Sequence, residues 1–250
     1  MAVLPEPDHW SDRLPSGGAY LWLMVAGILI SAGVWMRRSR NDPDLLVVYL
    51  GALGGAFIGA KLAYLFAEAW GDWGLPDRWL RLATGKSIIG GLLGGYAGVE
   101  GMKRLVGYRK STGDAFAPLI PVSILLGRVG CLLHGCCLGS AVPATFPLGL
   151  PDRLGTVRWP AVPVEMAFQG LLLLLLLVWS HTGRYAGRRF FIYLTAYGGF
   201  RLVHEGLRDT PKWVLGIGGY QVLSLGMMVL GIIMIRRRCA QARMSRGTLP

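Results

Sequence analysis

Residues 163–180 read PVEMAFQGLLLLLLLVWS. A helix of about 20 apolar residues rising 1.5 Å each covers the ~30 Å hydrocarbon core of a bilayer, so this stretch is long enough to cross it. Six other segments come close to the same character: Ala19–Met36, Leu45–Ala67, Ile88–Val106, Phe116–Leu133, Phe190–Leu202 and Val214–Ile235. Composition agrees. Of the 250 residues, 53% are apolar and 16% charged, and mean hydropathy is +0.45; soluble domains carry about 25% charged residues. A pI near 10.0 would suit a nucleic-acid binder, but the basic residues lie in short clusters between apolar runs. That pattern is a topology signal facing anionic lipid, so no nucleic-acid partner is expected.

The loops give the orientation. With the amino terminus outside, the inner loops hold Arg37, Arg38 and Arg40; Lys103, Arg104, Arg109 and Lys110; Arg184, Arg188 and Arg189; and Arg236, Arg237, Arg238, Arg243 and Arg246. These fifteen compare with eight on the outer segments, which also carry acids such as Asp8, Glu68 and Asp152. The positive-inside bias therefore predicts an all-α integral membrane protein: a bundle of about seven transmembrane helices, amino terminus outside, carboxyl terminus cytoplasmic. Met1–Gly18 shows no basic region ahead of an apolar core, so no cleaved signal peptide is expected. The chain reads as one transmembrane domain over residues 1–250, with an outer segment 1–18, a bundle 19–235 and a basic tail 236–250.

Charges inside apolar segments carry the functional reading, since each costs at least ~2.5 kcal/mol on insertion scales. Lys61, Arg128 and Arg201 are such residues, and the topology puts them, with Glu205, Arg208 and Lys86, at the outer side. Snorkelling to the interface and Arg–Glu pairing account for part of this pattern. A pocket for an anionic lipid headgroup accounts for the arginines, whose forks bind phosphate in pairs of bonds. The third segment is rich in glycine (Gly90, Gly91, Gly94, Gly95, Gly98), which lets helices approach closely.

The strongest local motif is GRVGCLLHGCCLG over residues 127–139. Its glycines weaken a regular helix, and irregular backbone at membrane depth is tolerated where it lines a cavity. On a regular helix Cys131 and Cys136 lie about 140° apart; a break at Gly135 would relieve this. The spacing of Cys131, His134, Cys136 and Cys137 does not match the usual zinc patterns, so no metal or cofactor is expected. A thiol pair drawn from Cys131, Cys136 and Cys137, or plain packing, remains open; Cys239 falls on the cytoplasmic side.

At this motif the chain resembles the bacterial prolipoprotein diacylglyceryl transferase family, whose pattern is G-R-x-G-N-x-x-N-x-E-x-x-G. Gly127, Arg128, Gly130 and Gly139 match, while Cys131, His134 and Cys136 replace Asn, Asn and Glu. Residues 59–64 (GAKLAY) resemble the family's G-A-R-L-G-Y, and residues 87–92 (SIIGGL) its S-F-H-G-G-L. Residues 200–209 (FRLVHEGLRD) resemble R-F-x-x-E-x-x-R-E, and residues 220–225 (YQVLSL) resemble G-Q-I-L-S-L. Arg158-Trp159-Pro160 with Glu165 is a fainter echo of R-H-P and a later Glu. The resemblance implies transfer of a diacylglyceryl group from phosphatidylglycerol to the lipobox cysteine of prolipoproteins, in the bacterial inner membrane. It also implies catalytic roles for Arg128, Arg201, Glu205 and His204, and substrate contacts from Lys61, Tyr64, Ser87, Gly90, Gly91, Gly130, Gly139, Arg208 and Gln221. The family's catalytic His before G-G is Ile89 here, and its R-H-P His is Trp159. The alternatives on the same fold are a membrane thiol oxidoreductase, using Cys131 with Cys136 or Cys137, and a silent lipid-binding homologue.

Overall fold

The computed structural model describes residues 19–247 apart from 73, 75–77 and 153. The expected outer segment 1–18 lies outside the described residues. The seven apolar segments form seven long helices: α1 Ala19–Arg38, α2 Pro43–Ala67, α3 Ile88–Leu105, α4 Leu119–His134, α5 Ala161–His181, α6 Arg189–His204 and α7 Gly219–Gly247. Among the described residues, Pro43–Ala67, Gly113–His134, Ala161–His181 and Gly219–Met244 are long and apolar enough to cross a membrane. The protein is an all-α membrane protein. The small β-content is one antiparallel pair, β1 Leu150–Pro151 with β2 Val157–Arg158.

The chain divides into two compact units. One comprises residues up to Ser31, Leu119–Leu175 and Leu207–Asp209. It contains α4, the β-hairpin and most of α5. The other comprises Ala32–Pro118, Leu176–Gly206 and Thr210 onward, and contains α2, α3, α6 and α7.

In the second unit, α2 and α3 pack backbone to backbone. Gly51, Gly55 and Gly59 recur every four residues on α2, and Gly90, Gly94 and Gly98 do the same on α3. A Cβ at Gly94 would collide with the Gly55 carbonyl, one at Gly59 with the Gly90 carbonyl, and one at Gly98 with the Gly51 carbonyl. In lipid there is little hydrophobic drive between helices, so such close van der Waals contact supplies much of the association. Gly94→Val is therefore expected to cost at least ~1–3 kcal/mol of stability by overpacking. Gly101→Ala, where the new methyl meets nothing within 4 Å, should cost nothing. Thermal unfolding in detergent separates the two; equal midpoints would contradict this packing.

Helix α6 is paired with α7 by the same device. A Cβ at Gly231 would strike the Thr195 hydroxyl, and one at Gly198 would meet the Ser224 carbonyl at 2.9 Å. The amino-terminal end of α6 is anchored by Asp114, whose carboxylate accepts from the Gly187 and Arg189 backbone amides. A carboxylate suits the positive end of a helix. Ring stacking along α6 runs from Tyr193 to Tyr197, Phe200 and His204, with 4.7 Å between the last two centroids.

Candidate active site

The first unit builds its polar site around the carboxyl-terminal end of α4. Gly135, at φ +68°, stops the helix. Its amide donates to the Leu132 carbonyl at 3.2 Å, and the Cys136 amide donates to the Cys131 carbonyl at 3.1 Å. This is a Schellman cap, in which a left-handed glycine closes the last turn. Cys137 is also left-handed, at φ +62°, which a residue with a Cβ adopts only at a cost. The two left-handed residues fold the chain back over the helix end. The Cys131, Cys136 and Cys137 sulfurs consequently all lie within 4.8 Å of one another. Cys131 and Cys137 are 3.8 Å apart, and all the cysteines are free thiols. Hydrogen bonds from Cys131 and Cys136 hold the Cys137 thiol well below its usual pKa, and the Arg128 and Arg208 charges add to this. His134 is exposed and stands outside the cluster.

Beside the sulfurs, Arg128 is buried, with Nη1 3.9 Å from the Cys131 sulfur. Its Nη2 lies 2.6 Å from the carboxylate of Glu165, which is fully buried on α5. Arg208 approaches the same carboxylate oxygen at 3.8 Å. Arg208 reaches it because Leu207–Asp209 runs antiparallel to Leu138–Ser140. Gly139 bridges Arg208, the Ser140 amide donates to the Leu207 carbonyl at 2.9 Å, and the Asp209 amide donates to the Leu138 carbonyl at 3.2 Å. Gly139 is required there, since a Cβ would collide with the Trp159 carbonyl. One buried carboxylate thus faces two buried guanidiniums.

A third arginine ties the loop that carries the β-hairpin of this unit. Arg158 donates from Nε to Asp152, from Nη1 to Asp209 at 2.8 Å, and from Nη1 to the Gly139 carbonyl at 3.3 Å. Asp152 also accepts from the Leu154 and Thr156 amides, each at 2.9 Å. The Arg158 hydrogen bond, reinforced by those amides, holds the Asp152 carboxyl below its ordinary pKa.

The second unit carries its own polar cluster where the ends of α2 and α6 meet the starts of α3 and α7. Arg201 and Glu205, both buried, form an ion pair at 2.5 Å. The other Glu205 carboxylate oxygen accepts from the Thr210 hydroxyl at 2.8 Å. Lys212 donates to the Glu205 carbonyl at 2.6 Å and to Thr210 at 2.7 Å. Tyr220, at the start of α7, donates to Glu68 just past α2 at 2.7 Å.

A family model described as prolipoprotein diacylglyceryl transferase matches residues 18–237. The chain belongs to that family. It is 29% identical over 246 residues to the phosphatidylglycerol–prolipoprotein diacylglyceryl transferase of Pseudoalteromonas atlantica, covering 93% of this chain and 85% of the relative. To that of Idiomarina loihiensis it is 30% identical over 267 residues, covering 94% and 97%. To that of Clostridium tetani it is 26% identical over 228 residues, covering 85% and 87%.

Within this diacylglyceryl transferase family member, several residues expected to contact substrate make structural contacts. Ser87 caps α3, its hydroxyl accepting from the Gly90 amide at 3.4 Å. Gly90 is closed off by the Gly59 carbonyl and Ala63, and Gly91 is half-buried, where an added Cβ would make ordinary contact with the Ala56 carbonyl. Gln221 accepts from the Gly218 amide at 2.8 Å and donates to the Leu202 carbonyl at 3.4 Å. Lys61 donates to the Gly85 carbonyl and lies 5.2 Å from the ring centre of buried Tyr64. Gly130 is buried within α4. His204 is buried and stacked on Phe200. Ile89, in the place of the family's histidine, is 1% exposed. The sequence reading missed Glu165 as a site residue; Gln169, one turn on, is equally buried. An acid and an amide four residues apart in an apolar helix were the available signal.

Proposed function

We propose that the protein transfers a diacylglyceryl group from phosphatidylglycerol to the lipobox cysteine thiol of prolipoproteins, as its relatives' names state for them. The observation that carries this reading is a family match over residues 18–237 joined to buried arginines at the matching motif positions. In the reaction the sulfur bonds to the glyceryl carbon, the carbon–oxygen bond to phosphate breaks, and glycerol phosphate leaves. The thiol proton departs as the thiolate forms. Charge grows on the leaving phosphate, so cations that tighten on it in the transition state accelerate departure. Arg128 and Arg201 are assigned that role, and Glu205 orients Arg201. With Ile89 unable to accept a proton, ionisation of the incoming thiol relies on the positive field of the arginines or on His204. The two buried arginines beside Glu165 support the anionic-lipid reading.

The chain is assigned to the bacterial inner membrane as one domain of seven spans, amino terminus outside and carboxyl terminus cytoplasmic. Leu154→Cys is expected to react with an impermeant thiol reagent added outside cells, and Ser111→Cys only after lysis; both positions are exposed. Labelling of Ser111→Cys in intact cells would overturn the orientation. The function is tested by expressing the chain in cells depleted of their own diacylglyceryl transferase. Restored growth and mature lipoprotein mobility are expected. A full-length, membrane-inserted chain that leaves prolipoproteins unmodified would refute it.

A further inference from the structure

Diacylglyceryl transfer needs no thiol from the enzyme, yet the chain gathers three at the end of α4. Three features make this a built site rather than chance proximity. The sulfurs come from both sides of a capped helix end, so the Schellman turn and a left-handed Cys137 are needed to close the group. A non-glycine residue held at positive φ marks a conformation that the surroundings impose. The sulfurs are withdrawn from bulk solvent: Cys131 is buried, and Cys136 and Cys137 are half-buried. The three cysteines line a small pocket together with Leu132, Trp159 and Pro160, among others. Two buried guanidiniums, Arg128 and Arg208, belong to the same unit, and Arg128 is 3.9 Å from the Cys131 sulfur.

The spacing suits a metal ion held by three thiolates, and the number of ligands narrows the choice of ion. Metal–sulfur bonds of about 2.3 Å in a trigonal plane place three sulfurs about 4 Å apart. Here one pair is at 3.8 Å and all are within 4.8 Å. Among the described residues the group comprises these three cysteines alone, and the nearby His134 stays outside it. Thiolates suit several soft metals; structural zinc takes four protein ligands, whereas Cu(I) is satisfied by three. The charge fits as well. Cu⁺ bound by three thiols releases three protons and forms a complex of charge −2, part of which Arg128 and Arg208, already facing Glu165, offset.

We propose that Cys131, Cys136 and Cys137 form a trigonal thiolate site for Cu(I). This goes beyond the transferase reading and does not depend on it. The site is tested on the full-length protein in detergent, reduced and kept anaerobic, by titrating Cu(I) against a chromophoric chelator. One ion per chain is expected, with three sulfur neighbours in X-ray absorption and proton release on binding. Cys136→Ser, at a position outside the helices, should weaken binding by more than the ~100-fold that outer-shell changes reach. Cys239→Ser should bind as wild type, because Cys239 is not among the gathered sulfurs. Size-exclusion profiles check that each variant is folded. Copper uptake unchanged in Cys136→Ser would overturn the proposal. Preferential four-coordinate zinc, or a stoichiometric disulfide among the three that persists in the reduced preparation, would also overturn it. Because the readout is metal alone, failure here leaves the transfer reaction standing. A metal-free triple Ser variant at these positions should keep measurable transfer activity if the protein is a transferase.

Discussion

Arg128→Ala and Arg201→Ala are each expected to lower lipid transfer by ~10³-fold or more, the scale on which a transition-state arginine acts in phosphoryl chemistry. The two losses should fall on kcat rather than KM, because the interaction strengthens as the phosphate leaves. Neither substitution strands a carboxylate completely. Without Arg128, Glu165 retains Arg208 at 3.8 Å; without Arg201, Glu205 retains the Thr210 hydroxyl at 2.8 Å. Each still breaks a buried pair from one side, so both variants should insert but unfold at a lower temperature than wild type, and rates are compared on the folded fraction. Lysine at either position should also impair turnover, since one ammonium cannot reproduce the planar fork. The check is initial-rate kinetics on purified variants. Full activity in both lysine variants would remove the phosphate-clamp role from these residues.

Glu165→Ala should have the largest effect on the protein itself. The carboxylate is fully buried, with Arg128 at 2.6 Å and Arg208 at 3.8 Å on the same oxygen. Removing it leaves two buried guanidiniums to repel each other. Breaking a buried pair from one side costs about 3–5 kcal/mol. That is a large share of the ~5–15 kcal/mol that holds a typical protein folded. Accumulation in membranes and the unfolding midpoint should both drop sharply. Glu165→Gln should fall between, because its amide oxygen can still accept one guanidinium hydrogen bond. Thermal unfolding of the three proteins provides the check. Unchanged stability in Glu165→Ala would show that the arginines are solvated rather than paired with this residue.

The helices were legible because lipid imposes a simple rule on length and polarity, and the seven apolar segments coincide with the seven long helices to within a few residues at most ends. The glycines at positions 90, 94 and 98 announced close approach. Their partners Gly51, Gly55 and Gly59 were not identified, because a four-residue ladder says which face is thin and not which helix faces it. Arg128 and Arg201 stood out as cations in apolar helix. Glu165 carries the same cost with opposite sign, but it was read only as a distant motif echo, so the ion pair that organises the first unit went unseen. The three sulfurs were the least legible. Their approach depends on a left-handed Gly135 followed by a left-handed Cys137, and residue spacing does not encode that turn. Ser87 and Gln221, motif positions expected to meet substrate, also hydrogen-bond to backbone, a structural role that residue spacing does not announce.

The most direct test of the account is transfer by the purified protein in phosphatidylglycerol vesicles, supplied with a signal peptide carrying a single lipobox cysteine. Mass spectrometry should find the peptide joined to diacylglycerol through a thioether, with one glycerol phosphate released per peptide modified. An unmodified peptide, together with enzyme thiols that cycle between reduced and disulfide forms on adding an oxidant, would contradict the account and make the protein an oxidoreductase.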